Sequence, residues 1–294
     1  MVEVMVAKEA RGQALKSPST LTALIARLRA PVFSIKQPEA FQVGAALPLP
    51  QPSTLAGALA YCIAVKEGVK EEDLIKRVQG ILRAARACFV SEVAVPSSII
   101  LRRLRVLDKG MERKEKGKPT DYEVLEDACK KLNYDEIHST MARLSDAMYR
   151  EYVFASEFMC VWITDEKLPV DLLWAINHIG DTESICSVLQ VHQVPVTYER
   201  GVDVKTRFQA PMINGAVVRS GNYLLVKMQD EAFWCRTGER LLTYAIPCEE
   251  RIEKGPKGLK YRIYRPSEIT LSYSSPVDIY SFELEGRKES LVGG

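Results

Sequence analysis

Histidine is scarce in this sequence of 294 residues, occurring only as His138, His178 and His192, which leaves little material for acid–base chemistry or imidazole-bound metals. Each has a structural explanation: His138 sits in a polar stretch, His178 near a helix end and His192 on a strand. The seven cysteines (62, 88, 129, 160, 186, 235 and 248) include no C-x-x-C pair, so a zinc knuckle or dithiol site has no starting point. They read as reduced, mostly buried thiols of a cytoplasmic protein. No G-x-G-x-x-G occurs, and Gly117-Lys118 is followed by Pro119 where a phosphate loop needs Ser or Thr, so nucleotide hydrolysis is not expected. A G-x-S-x-G elbow is also missing, and the nearness of His178, Asp181 and Ser184 in sequence makes no triad, because the fold assembles such groups. Asp181 and Glu183 could ligate a divalent ion, but a turn after a helix wants Gly and Asp for its own geometry, so neither a metal nor a cofactor is expected. Glu3 and Lys8 interrupt the N-terminus, and no stretch approaches the roughly 18 apolar residues of a membrane span, so neither secretion nor membrane insertion is expected.

What is present is an ordinary globular composition, 47% hydrophobic and 27% charged, which supports a sizeable core. Forty basic against thirty-eight acidic residues give +2, so a nucleic acid would have to be met by a local patch. Residues 1–16 form a polar lead-in. Leu21 to Ala30 then reads as a strand, with Arg27 and Arg29 on one face as a basic edge. Prolines 48, 50 and 52 exclude a helix until Ser53 or Thr54 caps one that ends before Gly68. A second helix is expected over Glu71 to Ala85, then strands at 88–95 and 97–107 separated by Pro96.

Residues 101–120 hold eight basic residues against Asp108, Glu112 and Glu115, while the next thirty hold seven acidic against four basic, with helices around 122–131 and 135–149. A charged excursion of this length reads as an insertion, 108–150, within a domain spanning 17–200. A strand over 152–164, a helix over 171–179 capped by Asp171, and a strand after the Gly180–Asp181 turn complete the set. The order approximates a βαββαβ plan, ferredoxin-like or RRM-like within the α+β class, and a β-rich C-terminal region covers 201–294. RNA-recognition modules use this plan, as do many unrelated proteins.

Three segments could hold a ligand. In the first, Phe33, Lys36, Gln37, Phe41 and Gln42 lead into a helix start where Ser53 and Thr54 offer free N–H groups and Gly57 permits close approach; the same prolines also read as helix punctuation. Aromatic faces and amide edges there can read bases, which flexible cations cannot. The second is Arg102, Arg103, Arg105, Lys109, Arg113, Lys114, Lys116 and Lys118, suited to tracking phosphates beside Arg27 and Arg29. The third is the loop carrying Lys254 and Lys257 beside Gly255 and Gly258, which equally reads as a surface turn.

Arg29-Ala30-Pro31 followed by QVGAALPLPQPSTLAGAL (42–59) resembles the N-terminal signature of the CRISPR-associated Cas-five family, whose hallmark is a P-x-P-S-T-x-x-G-x-L segment opening the first helix. GDTES (180–184) is similar to a turn of archaeal type I-A members, and the likeness covers about residues 20–200. The resemblance implies a RAMP protein of the Cascade interference complex, with an RNA-recognition-like domain and an inserted thumb. It implies a non-catalytic subunit that caps the 5′ handle of the crRNA and contacts the large subunit, the Cas-seven backbone and target DNA near the PAM. One subtype of that family cuts precursor RNA with a Lys-His pair and a tyrosine. No Lys-His dipeptide occurs here, although Tyr61 or Tyr122 with a spatially placed lysine keeps metal-independent cleavage as the alternative.

Overall fold

Over residues 23–26 the first strand is apolar and buried on both faces. In β1 (Thr22–Arg29), Leu24, Ala26 and Leu28 enter one core while Ala23 and Ile25 enter another, as expected of a strand covered on two sides. The computed structural model describes residues 21–38, 45–107, 109–112, 117–155, 157–180, 184–235 and 241–294. The lead-in 1–16 lies outside them.

Helix α1 (Pro52–Glu67) starts on Pro52, whose fixed φ suits a first turn, and ends at Gly68 with φ 64°. Its N-cap is Gln51 without a side-chain cap bond, so Ser53 and Thr54 do not cap it and lie inside its first turn. Helix α2 (Glu71–Ile81) is shorter than expected, because 82–85 belong to β2 (Leu82–Phe89), which pairs with β5 (Glu157–Thr164). Small buried residues, Ala84, Ala85 and Ala87, let that strand fit between two covering layers, and this packing overrides the helix preference of alanine.

Pro96 does not separate two strands; it lies within β3 (Ala94–Leu104), opposite Val153. Beyond Ala94, β3 is paired on that one side, so a residue without an N–H costs little. Next come α3 (Asp121–Lys130), closed by a Thr120–Glu123 capping box, and α4 (Tyr134–Leu144). The expected helix over 145–149 is instead the start of β4 (Ser145–Ala155), drawn into an unbroken ladder with β3 from Leu104↔Ser145 to Ala94↔Ala155. This makes the excursion a β-ribbon with a helical pair at its tip.

The expected helix at 171–179 is a 3-10 helix over Val170–Ala175 with Pro169, not Asp171, at its start; Asp171 pairs with Lys66 instead. After β6 (Ser187–Pro195) the chain is strand-rich as expected, with β7 (Thr197–Thr206), β8 (Ala210–Pro211), β9 (Val217–Ser220) and β10 (Leu224–Gln229). A 3-10 turn, Glu231–Phe233, precedes β11 (Leu241–Ile246), β12 (Cys248–Lys254), β13 (Lys260–Pro266), β14 (Ile269–Leu284) and β15 (Arg287–Val292).

The central antiparallel sheet runs β2-β5-β1-β6. Helices α1 and α2 cover one face, where Trp162 donates to the Leu55 carbonyl at 2.7 Å. Phe282, Leu284 and Leu291 of β14 and β15 cover the other. A second sheet, β12-β13-β3-β4, joins a C-terminal hairpin to the ribbon through Tyr264↔Ala94. That antiparallel pairing sends the hairpin tip and the outer ribbon to the same side of the molecule.

Candidate nucleic-acid interface

The segment 34–37 is extended and bonded to 45–47, with Gln37 N–H to Ala45 O and Leu47 N–H to Ile35 O both at 2.8 Å. Ile35 and Lys36 line a cleft of about 460 Å³, and Gln37 lines a second of about 360 Å³.

One face of α1 floors the larger cleft, because Ser53, Gly57 and Tyr61 recur every four residues. Ile176, His178, Ile179 and Gly180 form one wall, and Gln229 and Trp234 another. A Cβ at Gly57 would stand 3.3 Å from Trp234 Nε1, so the group that approaches this glycine is the indole. Tyr61 and His178 meet edge to face with ring centroids 5.6 Å apart. Gly180, at φ 96°, lies against Ile35, where any Cβ would collide. Ser184 is buried, its Oγ accepting from Ser34 N–H at 3.0 Å and donating to Ser34 O at 3.2 Å. Gly180 and Ser184, the two ends of GDTES, therefore dock on the segment leading into the proline-rich signature, and Ser184 is a brace rather than a nucleophile. Asp181 and Glu183 lie outside the described residues.

The smaller cleft lies between this segment, the ribbon base and the C-terminal hairpin, with Glu151, Glu250, Arg262 and Leu224 in its lining. Glu151 anchors it, accepting from Ala46 N–H at 3.0 Å and pairing with Arg262. Among the described residues no group of three or more His, Cys, Asp or Glu side chains could hold a metal ion, and no helix is long and apolar enough to cross a membrane.

No family model matches the chain. It is 29% identical over 222 residues to the CRISPR-associated protein Cas5 of Thermoproteus tenax, covering 74% of this chain and 82% of that one. It is 28% identical over 218 residues to the protein of the same name from Methanocaldococcus jannaschii, covering 68% and 77%. The chain resembles Cas5 proteins over most of its length. Its fold superposes on the crystal structure of a CRISPR protein from Archaeoglobus fulgidus with a TM-score of 0.53 at 16% identity, over 92% of this chain and 98% of that one.

The basic residues of the chain are partly spent on internal pairs. Arg27 and Arg29 share Glu157, at 2.7 and 2.9 Å, so the expected basic edge carries one net charge rather than two. Arg29 and then Arg27 hold the Glu157 carboxyl below its usual range. On the ribbon, Lys109 and Arg105 share Asp146, at 2.6 and 3.3 Å, and both lower its pKa, Lys109 more. Arg103 and Lys118 are exposed, as are Lys254 and Lys257 at the β12–β13 tip, where Lys257 has φ 61°. The loop around Lys254 and Lys257 is thus a hairpin turn in the ribbon's own sheet.

Phe33 offers no stacking face: it is fully buried, its ring 5.5 Å from Phe158. Ser53 is also buried, Thr54 half-buried and Lys36 exposed. Phe41, Gln42, Arg113, Lys114 and Lys116, and the side chain of Arg102, lie outside the described residues. Sequence reasoning missed Trp234 and the joining of Tyr61 to His178. The four-residue spacing from Ser53 through Gly57 could have flagged Tyr61, whereas nothing local announces that Trp234 returns to the same helix.

Proposed function

We propose that this chain is a non-catalytic, cytoplasmic RNA-binding subunit of a type I-A Cascade complex. It caps the 5′ handle of the crRNA and contacts the large subunit, the Cas-seven backbone and target DNA near the PAM. A ferredoxin-like RAMP domain with an inserted thumb fits the four central strands, whose chain order β1, β2, β5, β6 becomes the spatial order β2-β5-β1-β6. The observation that carries the reading is that the described residues of 35–57, a segment bearing the family signature, line both clefts, with the ribbon base at one and Gly180 at the other. Single-stranded RNA is read in such places, by rigid rings and amide edges, while cations hold the backbone. Ile100 and Tyr149, opposite each other on the ribbon and 57% and 50% exposed, offer an apolar surface to a protein partner.

The test is to purify the protein from its host with and without nuclease treatment. Co-purifying RNA of defined length is expected, and its absence refutes the reading. In binding assays, Gln37→Ala should narrow the preference for handle over scrambled RNA of equal length; an equal loss for both makes the residue a positioning element.

A second reading, metal-independent cleavage of precursor CRISPR RNA, is favoured by one observation, the contact of Tyr61 with His178 in a cleft that Lys36 also lines. Incubation with repeat RNA in chelator separates the two. Site-specific cleavage that disappears in His178→Ala would replace the binding-only reading.

A further inference from the structure

The turn from Asp230 to Trp234 lies in the part of the chain to which the sequence assigned no role, yet it is pinned from several sides. Gln51 Oε1 accepts from Gln229 N–H at 3.1 Å, and Gln79 Nε2 donates to Trp234 O at 2.8 Å. Asp230 accepts from Ala232 N–H at 2.8 Å and from the Tyr244 hydroxyl at 2.6 Å. Glu231 pairs with Arg86 at 2.8 Å, both side chains buried, and Arg86 Nε donates to Val292 O at 2.9 Å. Bonds of this kind fix a surface turn to the core.

The turn presents the half-buried Trp234 indole beside Gly57. Tyr61, 39% exposed, lies along the same face of α1, and the exposed His178 stands on the opposite wall. Asn177 ties these two together, donating from Nδ2 to Tyr61 Oη at 3.3 Å while its Oδ1 lies 2.6 Å from His178 Nδ1. With the amide so oriented, Oδ1 can only accept, so Nδ1 carries the proton and Nε2 is the acceptor of the neutral ring. Three rings and the Lys36 chain thus line one cleft of about 460 Å³.

Resting on the RNA-binding reading above, we infer that this cleft holds one unpaired nucleotide of the bound strand, with its base on Trp234 and its phosphate beside Lys36. Flat rings accept the face of any base. Rings already held by Gly57, Asn177 and the pinned turn lose little freedom on binding. The polar floor of Ser53 and Thr54 suits a ribose-phosphate better than a hydrocarbon. A base still paired in a duplex cannot enter.

Two measurements on the full chain test this. The three tryptophans are the core residue Trp162, the exposed Trp174 and Trp234, so in Trp174→Phe a change of indole emission on ligand binding reports Trp234. A single-stranded RNA octamer should quench that emission, and the same octamer annealed to its complement should not. In anisotropy titrations, Trp234→Ala should weaken binding of the single strand about tenfold or more, with Trp234→Phe restoring most of it. If wild-type protein binds the octamer while Trp234→Ala binds equally well, the cleft inference fails and the RNA-binding reading stands. If wild-type protein binds no RNA, both fail. Should Trp234→Ala not fold, unchanged emission of Trp174→Phe at saturating octamer overturns the inference alone.

Discussion

A carboxylate between two arginines behaves differently from a carboxylate in a core, and this chain contains both. Arg29 and Arg27 depress the pKa of Glu157 below its ordinary 4.5. The ionised form binds fewer protons in the folded than in the unfolded chain, so the stabilisation is complete above about pH 4.5 and vanishes as pH falls through the lower folded value. Glu157→Gln should therefore be less stable than wild type at pH 7, with the gap closing toward pH 3 in thermal melts. At Glu231 burial dominates and pushes the carboxyl up to about 7, against the pull of Arg86. Removing Arg86 alone, as Arg86→Met, strands that group and should cost on the order of 3–5 kcal/mol in urea titrations. The double variant Arg86→Met/Glu231→Met should recover much of the loss. Single residues were also where sequence reading failed most. Phe33 has the chemistry of a stacking residue, and its place opposite Val153 in the core is decided by a pairing 120 residues away.

At the scale of elements, the glycine stop was more legible than the caps: Gly68 ends α1 as expected, whereas the caps expected at Ser53 or Thr54 and at Asp171 are Gln51 and Pro169. The ends of α2 and α4 were not legible, because 82–85 and 145–149 have helix-compatible residues whose strand state is imposed by β5 and β3. Arg105 and Lys109 of the excursion are tied to Asp146, which reduces the charge they offer a ligand. For a single strand, every phosphate that no longer meets a cation should lower the slope of log K against log salt by about 0.7. Replacing Arg113, Lys114 and Lys116 together by Ala should flatten the slope accordingly with the melting curve unchanged; an unaltered slope would assign the arm to a protein partner.

For the whole molecule, the decisive fact is that the central sheet is covered on both sides, by α1 and α2 on one and by β14 and β15 on the other. The alternation of strands and helices through β6 was partly readable from sequence signals, with a 3-10 turn at Val170–Ala175 in place of the second expected helix. The covering was not, because the β-rich stretch after residue 200 gives no hint of where it returns. Its return closes the open-face mode of base stacking that an exposed sheet would allow, so the proposed RNA binding has to use the two clefts and the ribbon.

The walls of those clefts are written far apart in the gene. Gln51 meets Gln229, and Gln79 meets Trp234, across 178 and 155 residues of chain. On a ribosome, the signature segment and the first helix emerge long before their facing wall exists, and pairings of such separation form late. A nascent chain halted before Leu224 would carry the family motif with nothing opposite it. On the RNA-binding proposal, such a truncated chain should bind single-stranded RNA more weakly than the full chain, which a binding titration of the two would check.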